Sequence, residues 1–168
     1  MTLILIAAAG LAAGILLTTV ALVVVAPRLM VVESPTSLGF EEAVQAITEA
    51  AAARGWKVPT VHRIDQTLAA AGYTVEPAAV VELCRPDYAE QILRSDSDRV
   101  VTSFMPCRIS VYRTSDGRVV ISRMRSGLVA RLFGGTVARV MAAAAADSEL
   151  ILAAAGSPLR TASEAPAG

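Results

Sequence analysis

The sequence has little of several residue types on which catalytic and metal sites depend. It contains one histidine, one tryptophan and two cysteines, and aromatic residues make up 4% of the chain. It has no Cys-x-x-Cys pair, no haem-attachment motif and no Gly-x-Ser-x-Gly elbow. These shortages exclude the common signatures of zinc sites, c-type haem sites and serine hydrolases. We therefore assign no catalytic residue and favour a protein that is not an enzyme.

An excess of charge of one sign is also missing. The 15 Lys and Arg residues equal the 15 Asp and Glu residues in number. A neutral chain has no overall field that attracts a polyanion, and the few aromatic rings leave little surface on which bases can stack. The composition therefore predicts no nucleic-acid partner.

A long uncharged run is present at the N-terminus. Residues 3–26 carry no charge, and as a helix they would extend about 36 Å, which exceeds a hydrocarbon core of about 30 Å. The start lacks the positive charge of a cleavable signal peptide, which favours a retained anchor. Gly10 and Gly14 form a Gly-x-x-x-Gly spacing that lets two helices approach closely, although an alanine-rich span contains small residues in any case. Residues 1–30 are predicted to be a single-pass membrane anchor, and Arg28 alone does not settle the side of the membrane.

Residues 31–155 have the length of one compact domain. After a linker over residues 31–37, Ser37 is predicted to cap a helix that ends near Arg54 and Gly55. The remaining helices are expected at residues 64–71, 86–94 and 133–155, a buried strand at 79–83, and a disordered tail at 156–168.

The segment from Phe104 to Arg125 predicts a β-hairpin. Branched and aromatic residues on both sides flank Ser115, Asp116 and Gly117, which have the chemistry of a turn. Strands separated by helices and followed by one hairpin predict an α+β domain in two layers, with helices packed on a mainly antiparallel sheet.

Several motifs around the two cysteines carry a family resemblance. They are Arg54-Gly55-Trp56, Cys84-Arg85-Pro86-Asp87-Tyr88, Met105-Pro106-Cys107-Arg108-Ile109-Ser110-Val111-Tyr112, Asp116-Gly117, Ile121-Ser122-Arg123-Met124 and Leu132-Phe133-Gly134-Gly135. In this order and spacing they resemble the family named domain of unknown function 302, in particular its membrane-anchored members. The likeness covers roughly residues 31 to 155 and implies a fold without an established activity.

Cys84 and Cys107 are the main candidates for chemistry. Cys84 precedes a helix opened by Pro86 and follows an apolar run, so it is either a reactive thiol favoured by the helix start and Arg85 or a small packed side chain. Cys107 is its possible partner in a disulfide, a persulfide relay or a soft-metal site. If the two strands end together, both thiols lie at one rim of the sheet, but the spacing alone does not decide this.

Four further residues are weaker candidates for this site. His62 and Met105 can act as borderline or soft ligands for copper or haem iron, and the alternatives are a loop histidine and a packed methionine. Arg85 and Arg108 each follow a cysteine directly. The metal and any other cofactor stay unassigned.

Two main hypotheses about function follow. The first is a single-pass membrane protein that presents a small α+β binding or sensing module as a homodimer, with a small ligand or protein partner that the sequence does not identify. The second is a thiol redox, sulfur-transfer or metal- or haem-binding protein that uses Cys84 and Cys107. A third possibility is an assembly subunit that only holds partners together.

Overall fold

A computed structural model describes residues 2–156. Apart from Gly156, the predicted disordered tail lies outside the described residues. The elements in chain order are α1 (Thr2–Met30), β1 (Val31–Thr36), α2 (Phe40–Ala53), β2 (Val61–Arg63), α3 (Ile64–Ala70), β3 (Ala78–Leu83), α4 (Pro86–Leu93), a 3₁₀ helix (Asp98–Phe104), β4 (Cys107–Arg113), β5 (Val119–Met124), α5 (Ser126–Ala130) and α6 (Gly135–Ala154).

The strands of the described chain form one sheet of five, in the order β1-β5-β4-β3-β2. Every neighbouring pair is antiparallel. The predicted α+β class and the predicted hairpin of β4 and β5 are both confirmed. Gly117 closes the hairpin turn with a φ of 87°, a left-handed conformation that glycine adopts without a steric penalty.

One face of the sheet packs against α2 and α6. Side chains alternate along a strand, so Ile109 and Val111 of β4 point to the same face, and both are buried. They share one apolar cluster with Ile47 of α2 and Ile151 of α6. Burial of these side chains holds the two helices on the sheet.

Residues 31–37 are not a linker, because most of them form the edge strand β1. Val32 and Ser34 are buried, whereas Val31, Glu33 and Pro35 are exposed, which is the alternation of a strand with one covered face. Pro35 is compatible with an edge position, where one side of the backbone needs no partner. The cap of α2 also differs, since Gly39 occupies it and donates its N–H to Glu42 at 3.0 Å.

The predicted membrane anchor is not borne out. Among the described residues, no helix offers an apolar stretch long enough to cross a membrane. The predictions of a single-pass anchor over residues 1–30 and of a membrane localisation are therefore wrong on this finding. The membrane as a partner is not tested by it.

Candidate thiol site

The two cysteines meet where β3 ends and β4 begins. Leu83, the last residue of β3, lies opposite Cys107, the first residue of β4, and Cys84 follows Leu83 directly. Both cysteines are free and half-buried. Both line one small cavity of about 50 Å³. The antiparallel register therefore brings together two thiols that are far apart in the sequence.

Backbone hydrogen bonds hold Cys84 in place. Its N–H donates to the carbonyl oxygen of Lys57 at 2.9 Å, and the N–H of Lys57 donates to the carbonyl oxygen of Cys84 at 2.8 Å. Lys57 follows Trp56, whose side chain also lines the cavity. This pair of hydrogen bonds therefore joins the end of β3 to the segment that carries Trp56.

Asp147 of α6 accepts hydrogen bonds from three polar groups beside the cavity. Its Oδ2 accepts hydrogen bonds from Arg85 at 2.7 Å, from Trp56 Nε1 at 3.2 Å and from the Tyr88 hydroxyl at 3.3 Å. Arg85 also donates to Asp87 at 3.1 Å, and its guanidinium lies 4.5 Å from the centre of the Tyr88 ring. One carboxylate thus joins α4 and the Trp56 segment to α6.

The electrostatic environment differs among these groups. Burial raises the pKa of the Cys107 thiol, and the neighbouring Cys84 raises it further. Burial also raises the pKa of Tyr88, with a further contribution from the charge of Asp147. Burial opposes the charged form of Arg85, but its hydrogen bonds to Asp147 and Asp87 outweigh burial and raise its pKa. Arg85 therefore stays a cation beside the cavity, and Cys107 favours the protonated thiol near neutral pH.

The rest of the cavity wall is apolar or contains sulfur. Met105 and Met141 both contribute to it and are half-buried. The other apolar residues of the wall are Leu83, Ala89, Ile92, Val101, Phe104, Pro106, Val140 and Ala144. The cavity borders an open groove of about 760 Å³, because Cys107 and Met141 line both. The groove is therefore a route from solvent to Cys107.

The structure separates two of the weaker candidates from this site. His62 lies 3.0 Å from Glu82, and Arg108 lies 3.5 Å from the same carboxylate. Glu82 falls between Val81 and Leu83, which face the core, so its side chain points to the opposite face of the sheet. His62 and Arg108 are therefore not brought to the thiols, whereas Met105 and Arg85 are.

Three parts of the site escaped the sequence analysis as functional residues. Asp147 and Met141 carry no motif, and they belong to α6, which reaches the site only in three dimensions. Tyr88 stands in the motif that begins at Cys84, but it was not singled out as a site residue. The one available signal is that Asp147 interrupts a run of alanines in a helix with a buried face. The described residues contain no group of three or more His, Cys, Asp or Glu side chains placed to hold a metal.

The fold and the site together define an α+β protein with an antiparallel sheet and two free thiols in one cavity. The family model of domain of unknown function DUF302 matches residues 30–155, and the chain belongs to this family, as its motifs predicted. A crystal structure of an uncharacterized conserved DUF302 protein from Bacillus stearothermophilus is similar, with a TM-score of 0.66 and 19% sequence identity. The match covers 75% of this chain and 98% of that chain, and it shows a shared fold. No curated protein matches the chain.

Proposed function

We propose that this protein is a binding or sensing module, and that the cavity lined by Cys84 and Cys107 is its ligand site. The observation that carries the proposal is the meeting of two free, half-buried thiols in one cavity that opens to a groove. Two thiols that point into one cavity can hold a thiophilic ligand through two bonds.

The volume of the cavity limits the class of ligand. At about 50 Å³ it is well above the minimum for one water molecule, about 10 to 15 Å³. It is far below the roughly 300 to 1,000 Å³ of sites that enclose organic ligands. The ligand is therefore a single ion or a group of a few atoms, and haem does not fit inside this cavity.

The hydrogen bonds beside the thiols support a sensing role. Asp147 joins the Trp56 segment, Arg85 and Tyr88 to α6, so a ligand that draws the two thiols together also acts on this network. Trp56 is buried in the cavity wall and is the single tryptophan of the chain. Its fluorescence is consequently a specific reporter of events in the cavity.

Arsenite is a suitable probe for the proposed site. Arsenous acid reacts with two thiols to give a dithioarsenite: two S–As bonds form, two As–O bonds break, and the thiol protons leave in two water molecules without electron transfer. We expect one arsenic per chain by intact mass and a change in Trp56 emission. Either Cys84→Ser or Cys107→Ser should abolish both signals.

The matched control is Ser110→Ala, which alters β4 at a residue whose side chain points away from the core and leaves both thiols in place. It should bind arsenite as the unaltered protein does. The proposal fails if both thiols of the folded protein react singly with iodoacetamide but no dithioarsenite forms. It also fails if Cys84→Ser retains arsenite at full affinity.

Reversible thiol oxidation is the second candidate function. It is favoured by the position of Cys84 directly after Leu83, which lies opposite Cys107. Formation of the disulfide removes two protons and two electrons from the thiols, and a small-molecule disulfide accepts them and becomes two thiols. Equilibration in mixtures of oxidised and reduced dithiothreitol, followed by alkylation and intact mass, tests this. A reversible transition in the folded protein supports redox function, whereas thiols that stay reduced throughout exclude it.

The homodimer predicted from the sequence remains part of this proposal. The molar mass in solution, measured by light scattering with and without arsenite, distinguishes a constitutive dimer from one that the ligand induces. A monomer under both conditions contradicts it.

A further inference from the structure

We infer that the cavity is a site for one soft monovalent metal ion, Cu(I), held by the sulfur atoms of Cys84, Cys107, Met105 and Met141. The inference rests on the proposed function, because it names the ligand of the same cavity. Its basis is that four sulfur-containing side chains line one small cavity.

Sulfur is concentrated at this place in the molecule. The chain has two cysteines and five methionines. Both cysteines and two of the methionines line the cavity of about 50 Å³. By contrast, Met124 lies at the end of β5 with an exposed side chain, and it does not contribute to the cavity. Packing needs alone do not require both thioethers beside both thiols, since leucine fills a similar volume.

The four candidate ligands come from separate elements that are held rigidly. Cys84 follows β3, Cys107 begins β4, Met105 follows the 3₁₀ helix, and Met141 belongs to α6. Met105 and Met141 both pack against the buried cluster of Ile92, Val101, Val137 and Val140. Because this packing positions the thioethers, a metal ion meets a largely formed site instead of having to order the chain.

The chemistry of the donors selects the metal. Thiolate and thioether sulfur are soft ligands that favour Cu(I). Zinc sites in proteins are built from cysteine, histidine and carboxylate ligands and almost always have four of them when they are structural. His62 lies on the other face of the sheet, and the Asp147 carboxylate already accepts three hydrogen bonds. The set therefore favours Cu(I) over Zn²⁺.

Charge and access are also suitable for this ion. Two thiolates and one Cu(I) leave one negative charge, and the cation in the cavity wall is Arg85, which Asp147 and Asp87 also contact. Two Cu–S bonds to the cysteines form as two thiol protons leave to solvent, and the metal keeps its oxidation state. The adjoining groove gives a small copper chelate access to Cys107 and Met141.

The test measures Cu(I) affinity in the full chain. Cu(I) is kept reduced by ascorbate without oxygen, and the protein competes for it with bathocuproine disulfonate. We expect one Cu(I) per chain with sulfur as its nearest neighbours in X-ray absorption spectra. Removal of a ligand's outer-shell partner costs about 10- to 100-fold in metal affinity, so loss of a ligand itself in Met105→Leu or Met141→Leu should weaken binding at least about tenfold.

Met124→Leu is the matched control, because it makes the same substitution outside the cavity. It should bind Cu(I) like the unaltered protein, and thermal melting checks that all three variants fold. The inference is overturned if Met105→Leu and Met141→Leu both keep full affinity, or if equimolar Zn²⁺ displaces the Cu(I).

Arsenite binding distinguishes failure of the Cu(I) inference from failure of the proposed function. Arsenite needs only the two thiols, so both methionine variants should retain it. If arsenite binds and both methionine variants keep full affinity for Cu(I), the Cu(I) inference is rejected and the proposed ligand site stands. If the folded, unaltered protein does not bind arsenite, both the Cu(I) inference and the proposed function are rejected.

Discussion

Arg123 of β5 and Glu149 of α6 form a two-point ion pair beneath the helix layer. Arg123 Nε lies 2.8 Å from one carboxylate oxygen of Glu149, and Nη2 lies 2.7 Å from the other. The arginine side chain is 5% exposed and the glutamate side chain is 31% exposed. Arg123 also donates to the hydroxyl of Ser34 on β1 at 3.1 Å. One guanidinium thus connects the edge strand, its neighbour and the long C-terminal helix.

Glu149→Gln should destabilise the fold strongly. The substitution leaves a buried guanidinium without its counter-charge, which costs about 3 kcal/mol in the free energy of unfolding. Urea denaturation followed by Trp56 fluorescence measures the loss. The control is Glu76→Gln, which breaks the pair of Glu76 with Arg113, whose side chains are 48% and 45% exposed. That change should cost at most about 1 kcal/mol, and equal losses in the two variants would contradict the expectation.

Asp147→Asn should loosen the cavity wall. The amide cannot accept three hydrogen bonds as the carboxylate does, and it leaves Arg85 with Asp87 as its remaining ion-pair partner. Hydrogen bonds to a charged group contribute about 1.5 to 3 kcal/mol, so we expect a loss of that size in unfolding free energy. Trp56 emission should shift at the same time. Asp96→Asn, in an exposed turn, is the control, and a loss there as large as at Asp147 would argue against this role.

The stability of the protein should fall at alkaline pH through Cys107. Its folded-state pKa is raised, chiefly by burial. Below about pH 8.5, the ordinary pKa of a cysteine thiol, folded and unfolded states both hold the proton and the contribution is fully present. Above it the unfolded state loses the proton first, so the free energy of unfolding falls as pH rises through the folded-state pKa. Cys107→Ala should flatten this slope between pH 8 and the folded-state pKa, and parallel curves for the two proteins would contradict the assignment.

Tyr112 should titrate later than an ordinary tyrosine. Burial and a hydrogen bond of 2.7 Å from its hydroxyl to Glu33 raise its pKa to about 12. Absorbance at alkaline pH follows the phenolate, and Tyr112→Phe identifies the component that belongs to this residue. Glu33→Gln should move that component toward the ordinary pKa of about 10, because the negative acceptor is replaced by a neutral one. An unchanged titration in Glu33→Gln would mean that burial alone holds the proton.

Periodicity and turn chemistry predicted much of the fold. The helix predicted between Ser37 and Arg54 matched α2, and the branched and aromatic residues around Asp116 and Gly117 matched the hairpin. These signals are local, because each residue's neighbours in space are also its neighbours in sequence. β1 was missed because the proline in Val-Glu-Ser-Pro is typical of a linker, and only its partner β5 makes it a strand.

The candidate site was predictable only in part. Cys84, Cys107, Arg85 and Met105 could be named because they stand beside prolines at the ends of predicted elements. Asp147 and Met141 could not be named, since their role depends on how α6 crosses the sheet. The same limit applies to His62, whose residue type suggests a ligand but whose strand directs it to the face that carries Glu82.

The pairing of β1 with β5 determines when the sheet can be completed during synthesis. Val31 lies opposite Met124, so the edge strand is made long before its partner exists. Contacts between residues so distant in the chain close a large loop and form slowly. Until β5 emerges, the backbone of β1 has no strand to pair with, and this segment stays available to chaperones and proteases. Nascent chains halted before β5 should consequently be cut near β1, whereas complete chains should resist.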